Sequence, residues 1–91
     1  MAISTEVLAS YAADAALEVP GVTGLVESRV PPRRAVRVDD ARFELHLAVA
    51  WGASIPQVAR SVQRHVREYL ERMAGVAPES VDVVVDEVAA P

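Results

Sequence analysis

Two histidines, His46 and His65, are the side chains best suited to acid–base chemistry near neutral pH. His46 shares one face of an alternating stretch with Glu44, and His65 falls beside Val62 and Val66 but off the apolar stripe of a helical stretch. We therefore expect His65 to be exposed. The chain has no Cys, which excludes disulfides, thiolate zinc sites and cysteine nucleophiles. Because no ligand spacing joins either histidine to carboxylates, we predict no metal site and no catalytic histidine.

Serine and aspartate offer two further kinds of chemistry, and both have simpler explanations. Asp39 and Asp40 lack the alternating ligands and the glycine of a calcium loop, so Asp-Asp-Ala predicts a turn. None of the serines in the body of the chain has the glycine context of a nucleophile elbow: Ser10, Ser28, Ser54, Ser61 and Ser80. The sequence therefore predicts no catalytic residue, no cofactor and no enzymatic activity.

All nine basic side chains are arginines, and they suggest where a partner could bind. One group lies at the end of the Pro-containing connector and just after it, at positions 29, 33 and 34. The other group, Arg60, Arg64 and Arg67, recurs at steps of four and three, which forms a ridge on a helix. Two interpretations remain open. In the first, both groups are solvated, and the helical arginines form ion pairs with glutamates four residues away, such as Arg64–Glu68. In the second, the arginines contact an acidic partner or an anionic membrane. A glutamine in the ridge is not explained by helix geometry. The candidate partner-binding residues are Arg29, Arg33, Arg34, Arg60, Gln63, Arg64 and Arg67.

Composition restricts the class of protein further. The 91 residues fit one domain, residues 1–91, and the hydrophobic fraction of 52% with 4% aromatics predicts a thin aliphatic core. A net charge of −4, no Gly-x-x-Gly loop between paired helices and few aromatics for base stacking argue against nucleic-acid binding. No signal peptide and no apolar run of ~18 residues is present. We expect a soluble, cytoplasmic protein without a membrane span, which reaches a membrane only through a partner.

The stretch 51–76 carries the clearest structural signals. Apolar residues recur there at steps of three and four, Ser54 suits the N-cap, Pro56 suits the first turn and Gly75 suits a left-handed C-cap. An earlier helix begins after Ser4 and ends at Pro20-Gly21. The connector 20–32 is predicted to be irregular.

Strands are predicted over residues 34–38, over residues 42–51 and from residue 80 onward. The middle strand alternates, with one apolar face made of Phe43, Leu45, Leu47, Val49 and Trp51. The order α-β-β-α-β predicts an α+β two-layer sandwich, in which two helices pack on one face of a small, mostly antiparallel three-stranded sheet. If it joins the same sheet, the last strand should run parallel to the middle one, and the sequence leaves undecided whether it pairs with the middle or the first strand. The other sheet face, including His46, and the exposed sheet edges should be open to self-association or partner binding.

Two blocks of the sequence resemble the alkaline shock protein family, the Gls-type bacterial envelope stress response proteins. The first block is Ile3-Ser4, Glu6-Val7, 15–19 and 20–25, and the second is Trp51-Gly52, Ile55-Pro56, Val58-Ala59, Val62-Gln63, Val66, Met73, Gly75-Val76 and 81–83. The chain departs from the family pattern at Ala74 and Asp82, and only Met1 and Ala2 precede the first block.

The resemblance implies a small cytoplasmic protein of envelope stress or envelope homeostasis, self-associating and held near the membrane by another protein. No catalytic residue is carried over from the family. We predict a non-enzymatic interaction or scaffold protein, a homo-oligomer that docks on a protein partner. An RNA- or small-ligand-binding α/β domain is the alternative.

Overall fold

A computed structural model describes residues 3–90 of the chain. Two helices and six strands follow one another along it: α1 Thr5–Leu17, β1 Val22–Leu25, β2 Ser28–Arg29, β3 Pro32–Arg33, β4 Val36–Asp39, β5 Arg42–Ala50, α2 Ile55–Ala74 and β6 Ser80–Ala89.

The nine-residue strand β5 is the centre of a four-stranded sheet. β6 runs parallel to β5 along one edge, and β4 and β1 run antiparallel to it along the other. The change from β1 to β4 falls at His46, whose N–H donates to Ala35 O at 2.8 Å and whose carbonyl accepts from Val26 N–H at 2.9 Å. Residues 27–34 leave the sheet at this point as a short hairpin of β2 and β3, here called the arm.

The core lies between one face of β5 and the two helices. Phe43, Leu45, Leu47 and Val49 are at most 1% exposed and meet the buried valines and leucine of α2. The helix α1 contributes alanines with no exposed surface, and such small side chains allow close packing against the sheet. These residues bury both helices on a single face of the sheet.

The helix ends agree with the sequence signals. Ser4 Oγ accepts a hydrogen bond from Val7 N–H at 3.2 Å, which confirms it as the N-cap of α1. Gly75 has φ 66° and ends α2, and the N–H of Val76 reaches back to Leu70 O at 3.3 Å. Ser54 occupies the N-cap position of α2 without a side-chain cap bond.

The two-layer α+β architecture and the parallel last strand are confirmed, and two details are corrected. The connector 20–32 is not irregular and the sheet has more than three strands, because β4 covers only half of β5 and β1 pairs with the other half. Such a pairing is invisible in a local sequence pattern. Trp51 does not join the apolar face, because β5 ends at Ala50 and Trp51 lies 68% exposed in the following turn.

Candidate functional site: an interaction surface

The outer face of the sheet, opposite the helices, holds a buried histidine between two carboxylates. His46 is 6% exposed, with Nδ1 2.8 Å from Asp86 Oδ2 and Nε2 2.9 Å from Glu44 Oε2. Glu44 and His46 share this face because they are two positions apart on β5. Asp86 is an extra residue at a bulge in β6, since Leu47 pairs with Val85 and Ala48 with Glu87. The bulge turns the Asp86 carboxylate towards the ring.

This geometry selects the doubly protonated form of His46. Carboxylates only accept hydrogen bonds, and a neutral imidazole has one N–H, so only the imidazolium donates to both neighbours. The hydrogen bond from His46 is the main cause that lowers the pKa of Glu44 from its ordinary value of 4.5. The charges of His46, Arg37 and Arg33 lower this pKa further, and desolvation opposes them.

The arm closes this cluster from outside the sheet. Arg33 on β3 donates from Nη2 to Asp86 Oδ2 at 2.8 Å, so the arm reaches over β5 to β6. Asp86 Oδ2 therefore accepts from both Arg33 and His46. The expectation that the outer face is open at His46 is wrong, because the arm covers it. We call the contact of Arg33, Asp86, His46 and Glu44 the latch.

The latch is not arranged as a metal site. Its two carboxylates approach opposite ring nitrogens, so they do not converge on one ion, and within residues 3–90 no group of three His, Asp or Glu side chains could hold a metal. Two open grooves border the latch: Arg33 lines one of about 540 Å³ beside β4 and α1, and Glu44 lines one of about 450 Å³ beside β4 and β5. A groove of about 310 Å³ lies away from it, between α1 and α2.

The groove between α1 and α2 contains the other histidine, His65. His65 is half-buried rather than exposed, because its Nε2 bonds to Glu18 Oε2 at the end of α1. Ser61 also lines this groove but, among the described residues, makes no hydrogen bond to His65. Tyr11 and Tyr69 meet edge to face with ring centroids 6.0 Å apart. These contacts join the two helices to each other.

The arginine ridge on α2 is divided between solvent and contacts within the chain. Arg60 and Arg64 are exposed, whereas Arg67 donates from Nη1 to Pro78 O at 2.9 Å. The helical ion pair of the solvated interpretation is not formed: within residues 3–90, Arg64 and Glu68 have no charged atoms within 4.0 Å of each other. The reason for Arg67 is geometric, since its guanidinium reaches the loop that leads into β6.

The side chain of Gln63 connects α2 to β6 by a hydrogen bond, which helix geometry alone did not predict. Its Nε2 donates to Val81 O at 3.0 Å. The core-facing residues of β5, such as Phe43 and Leu45, direct their backbone N–H and C=O groups towards β6. Their partners in the parallel pair, such as Val81 and Val83, therefore direct their own backbone groups away from β5, to the free edge of β6. Gln63 therefore satisfies a carbonyl on the free edge of β6.

The remaining candidates lie on the arm. Arg29 and Arg34 are exposed and flank the arm tip, and Arg33 is held in the latch. The arm covers the outer face of the sheet, whereas α2 covers the inner face. The structure therefore does not bring the loop arginines together with Arg60 and Arg64, and they form two separate surfaces.

Two sheet edges lack a neighbouring strand in the described part of the chain. β6 is ten residues long and pairs only with β5, and it exposes Val84 and Val88 beside three carboxylates, Asp82, Asp86 and Glu87. β4 also pairs only with β5, and Arg33, Arg34 and Arg37 line the groove beside it. Sequence reasoning noted exposed edges but did not identify their opposite charges, because it left the strand order undecided.

The fold and these surfaces define a small two-layer α+β domain with a sealed histidine and unpaired sheet edges. Comparison with known sequences gives the family. The pattern of the alkaline shock protein 23 family, described as having a cell envelope-related function, matches residues 1–90. YqhY of Bacillus subtilis (strain 168), an uncharacterised protein, is 34% identical over 95 residues, which cover 89% of this chain and 70% of YqhY. The chain belongs to the alkaline shock protein 23 family, as the two sequence blocks predicted.

Solved structures confirm the fold class. The copper form of the MamM CTD has a TM-score of 0.61 at 21% identity, covering 94% of this chain and 87% of that one. A histidine-to-alanine variant of the same domain has a TM-score of 0.58 at 20% identity, covering 96% and 100%. At this identity the likeness concerns the fold alone. Among the described residues, no helix is long and apolar enough to cross a membrane.

Proposed function

We propose that this chain is a non-enzymatic interaction module with a cell envelope-related role, which acts by self-association and by docking on a protein partner. The observation that carries the proposal is the free edge of β6. Strand edges with unpaired N–H and C=O groups are templates for pairing with another chain. The family description supports the envelope role and names no enzymatic activity.

Opposite charges on the two free edges support pairing between copies. Asp86 and Arg33 already pair with each other in the latch. Two β6 edges therefore repel each other through Asp82 and Glu87. The β6 edge attracts Arg34 and Arg37 beside β4 of another copy. Since β4 runs antiparallel to β5 and β6 runs parallel to it, such a contact joins β6 and β4 as antiparallel neighbours. A contact between unlike surfaces extends into open assemblies or closes into rings.

Charge reversal tests self-association directly. Light scattering coupled to size-exclusion chromatography, over a range of protein and salt concentrations, should show species larger than the monomer that dissociate as salt is added. Arg37→Glu and Asp82→Arg should each weaken association, and the double variant should restore it. A wild-type protein that stays monomeric at every concentration contradicts self-association, and a double variant as weak as the singles contradicts the edge contact.

For partner docking we propose the exposed arginines, Arg60 and Arg64 on α2 and Arg29 and Arg34 on the arm. Gln63, Arg33 and Arg67 support these surfaces through contacts within the chain. Crosslinking in the native cell with the wild type and with a double variant, Arg60→Glu with Arg64→Glu, separates the interpretations. An unchanged set of crosslinked proteins means that the α2 pair is only solvated.

A further inference from the structure

The arm ends in an apolar tip that nothing in the described residues covers. Val30 is 91% exposed, more than any other large apolar side chain of residues 3–90. It is followed by Pro31 and Pro32, both exposed, so the tip carries no charge at three successive positions. Proline rings also fix φ, which limits the shapes available to the tip.

Arginines surround this tip in a chain with a net charge of −4. Arg29 precedes Val30 directly, and Arg34 follows the prolines on the return strand; both are exposed. Arg37 is exposed on β4, close to the base of the arm, in a weak pair with Glu44 at 3.6 Å. An exposed apolar tip flanked by arginines matches the boundary between the headgroups and the acyl chains of an anionic bilayer.

The arm is held in position before it meets any ligand. The latch fastens Arg33 to Asp86, and two backbone hydrogen bonds of His46 fix the chain on both sides of the hairpin. A fixed hairpin has already lost the conformational entropy that a free loop loses on binding. The latch also pairs Glu44 and Asp86 with His46 and Arg33, so the exposed carboxylate that remains in the arm is Glu27 at its start.

We propose that the arm contacts an anionic lipid bilayer directly, with Val30 entering the interface and Arg29 and Arg34 binding headgroup phosphates. This deepens the envelope-related role proposed above and rests on it, and it replaces the expectation that only a partner brings the chain to a membrane. An acidic peptide in the groove beside β4 would contact Arg34, whereas Arg29 and Val30 do not line that groove. With one apolar side chain and two free arginines, binding by a single arm is weak and reversible.

Co-sedimentation with lipid vesicles measures this contact. The wild type should bind vesicles of phosphatidylcholine and phosphatidylglycerol in equal parts, and it should bind pure phosphatidylcholine and inorganic phosphate far less. Each arginine lost from an anionic surface lowers partitioning by about fivefold, so Arg29→Glu with Arg34→Glu should lower it by at least ~25-fold. Val30→Asp should lower it at unchanged arginine content.

Two matched variants separate the arm from general charge and apolarity. Arg60→Glu with Arg64→Glu makes the same charge change on the opposite layer, and Val7→Asp places the same substitution at a 41% exposed valine of α1. Losses as large as those of the arm variants overturn the proposal. Equal affinity for inorganic phosphate and for vesicles identifies a simple anion site and overturns it too.

A label at the tip gives a second readout. The chain has no Cys, so Val30→Cys and Val7→Cys each accept a single environment-sensitive fluorophore. The label at position 30 should shift to the blue on anionic vesicles, and the label at position 7 should not. Light scattering of the same variants shows whether self-association persists. If the protein self-associates but does not bind vesicles, the lipid contact of the arm is contradicted and the proposed self-association stands. If the protein is monomeric but still binds vesicles, self-association is contradicted and the lipid contact stands.

Discussion

Replacing Asp86 with alanine tests whether the latch holds the outer layer of the molecule. Asp86 Oδ2 accepts from both Arg33 Nη2 and His46 Nδ1 at 2.8 Å. A hydrogen bond to a charged group contributes about 1.5–3 kcal/mol, and a buried donor left without a partner costs about 1–3 kcal/mol. The side chains of Arg33 and Asp86 are about a quarter exposed, with 27% and 26% of their surface accessible. Solvent screening therefore favours the lower values, and we expect a loss of about 3 kcal/mol in the free energy of unfolding.

Urea unfolding measures this loss. For a domain of this size, the midpoint of thermal unfolding of the Asp86→Ala variant should also fall by about 12 °C or more. Asp82→Ala is the matched control, because Asp82 is an exposed aspartate on the same strand and, within residues 3–90, has no ion-pair partner within 4.0 Å. Since Asp82 also lies in the proposed contact between copies, the variants are compared at protein concentrations at which the wild type is monomeric. Its effect should stay within ~0.5 kcal/mol. Amide exchange at Ser28 and Arg33 should accelerate only in the Asp86 variant. Equal losses for the two variants would refute the latch as the element that fastens the arm.

Two further predictions concern Glu44 and Gln63. The pKa of Glu44 lies below its ordinary value of 4.5, mainly through the hydrogen bond from His46, so the unfolded chain binds more protons than the folded one as the pH falls. Glu44 therefore adds stability above pH 4.5, and this stability is lost as the pH falls through the lowered pKa. In Glu44→Gln the urea midpoint should fall less steeply with decreasing pH than in the wild type. An equally steep fall in the variant contradicts the prediction. Gln63→Ala should lower the free energy of unfolding by about 1 kcal/mol, measured by urea denaturation, whereas an Arg64→Ala control should change it by less than ~0.5 kcal/mol. Equal effects would mean that the bond to Val81 O contributes nothing.

The helices and the central strand were predictable because their signals are local. The stripe of α2, its proline in the first turn and Gly75 at its end specify a helix without reference to the rest of the chain. The alternation of β5 places its apolar residues on one face in the same way. Both patterns follow from the helical and strand repeats of side-chain direction.

The outer layer was not predictable because its contacts join residues far apart in sequence. Arg33 and Asp86 are 53 positions apart, and His46 and Asp86 are 40 apart. The bulge that turns Asp86 towards His46 depends on how β6 pairs with β5, and the strand order was undecided from the sequence. The position of His46 was the one available signal, because it is a polar residue at the centre of the long strand β5 and is flanked by Leu45 and Leu47, both fully buried.

Sheet twist limits how many arms an assembly can bring to one bilayer. If β6 of one copy pairs with β4 of the next, the sheet continues with every outer face on the same side. Neighbouring strands rotate by about 20–25°, and each copy adds three strand positions, so successive arms rotate by roughly 60–75°. Adjacent arms can then share a flat surface, while arms three copies apart point away from it. Linked arms raise affinity through their effective concentration, so the gain should be large from monomer to dimer and should level off in longer assemblies. Self-association and membrane contact therefore reinforce each other only in short assemblies.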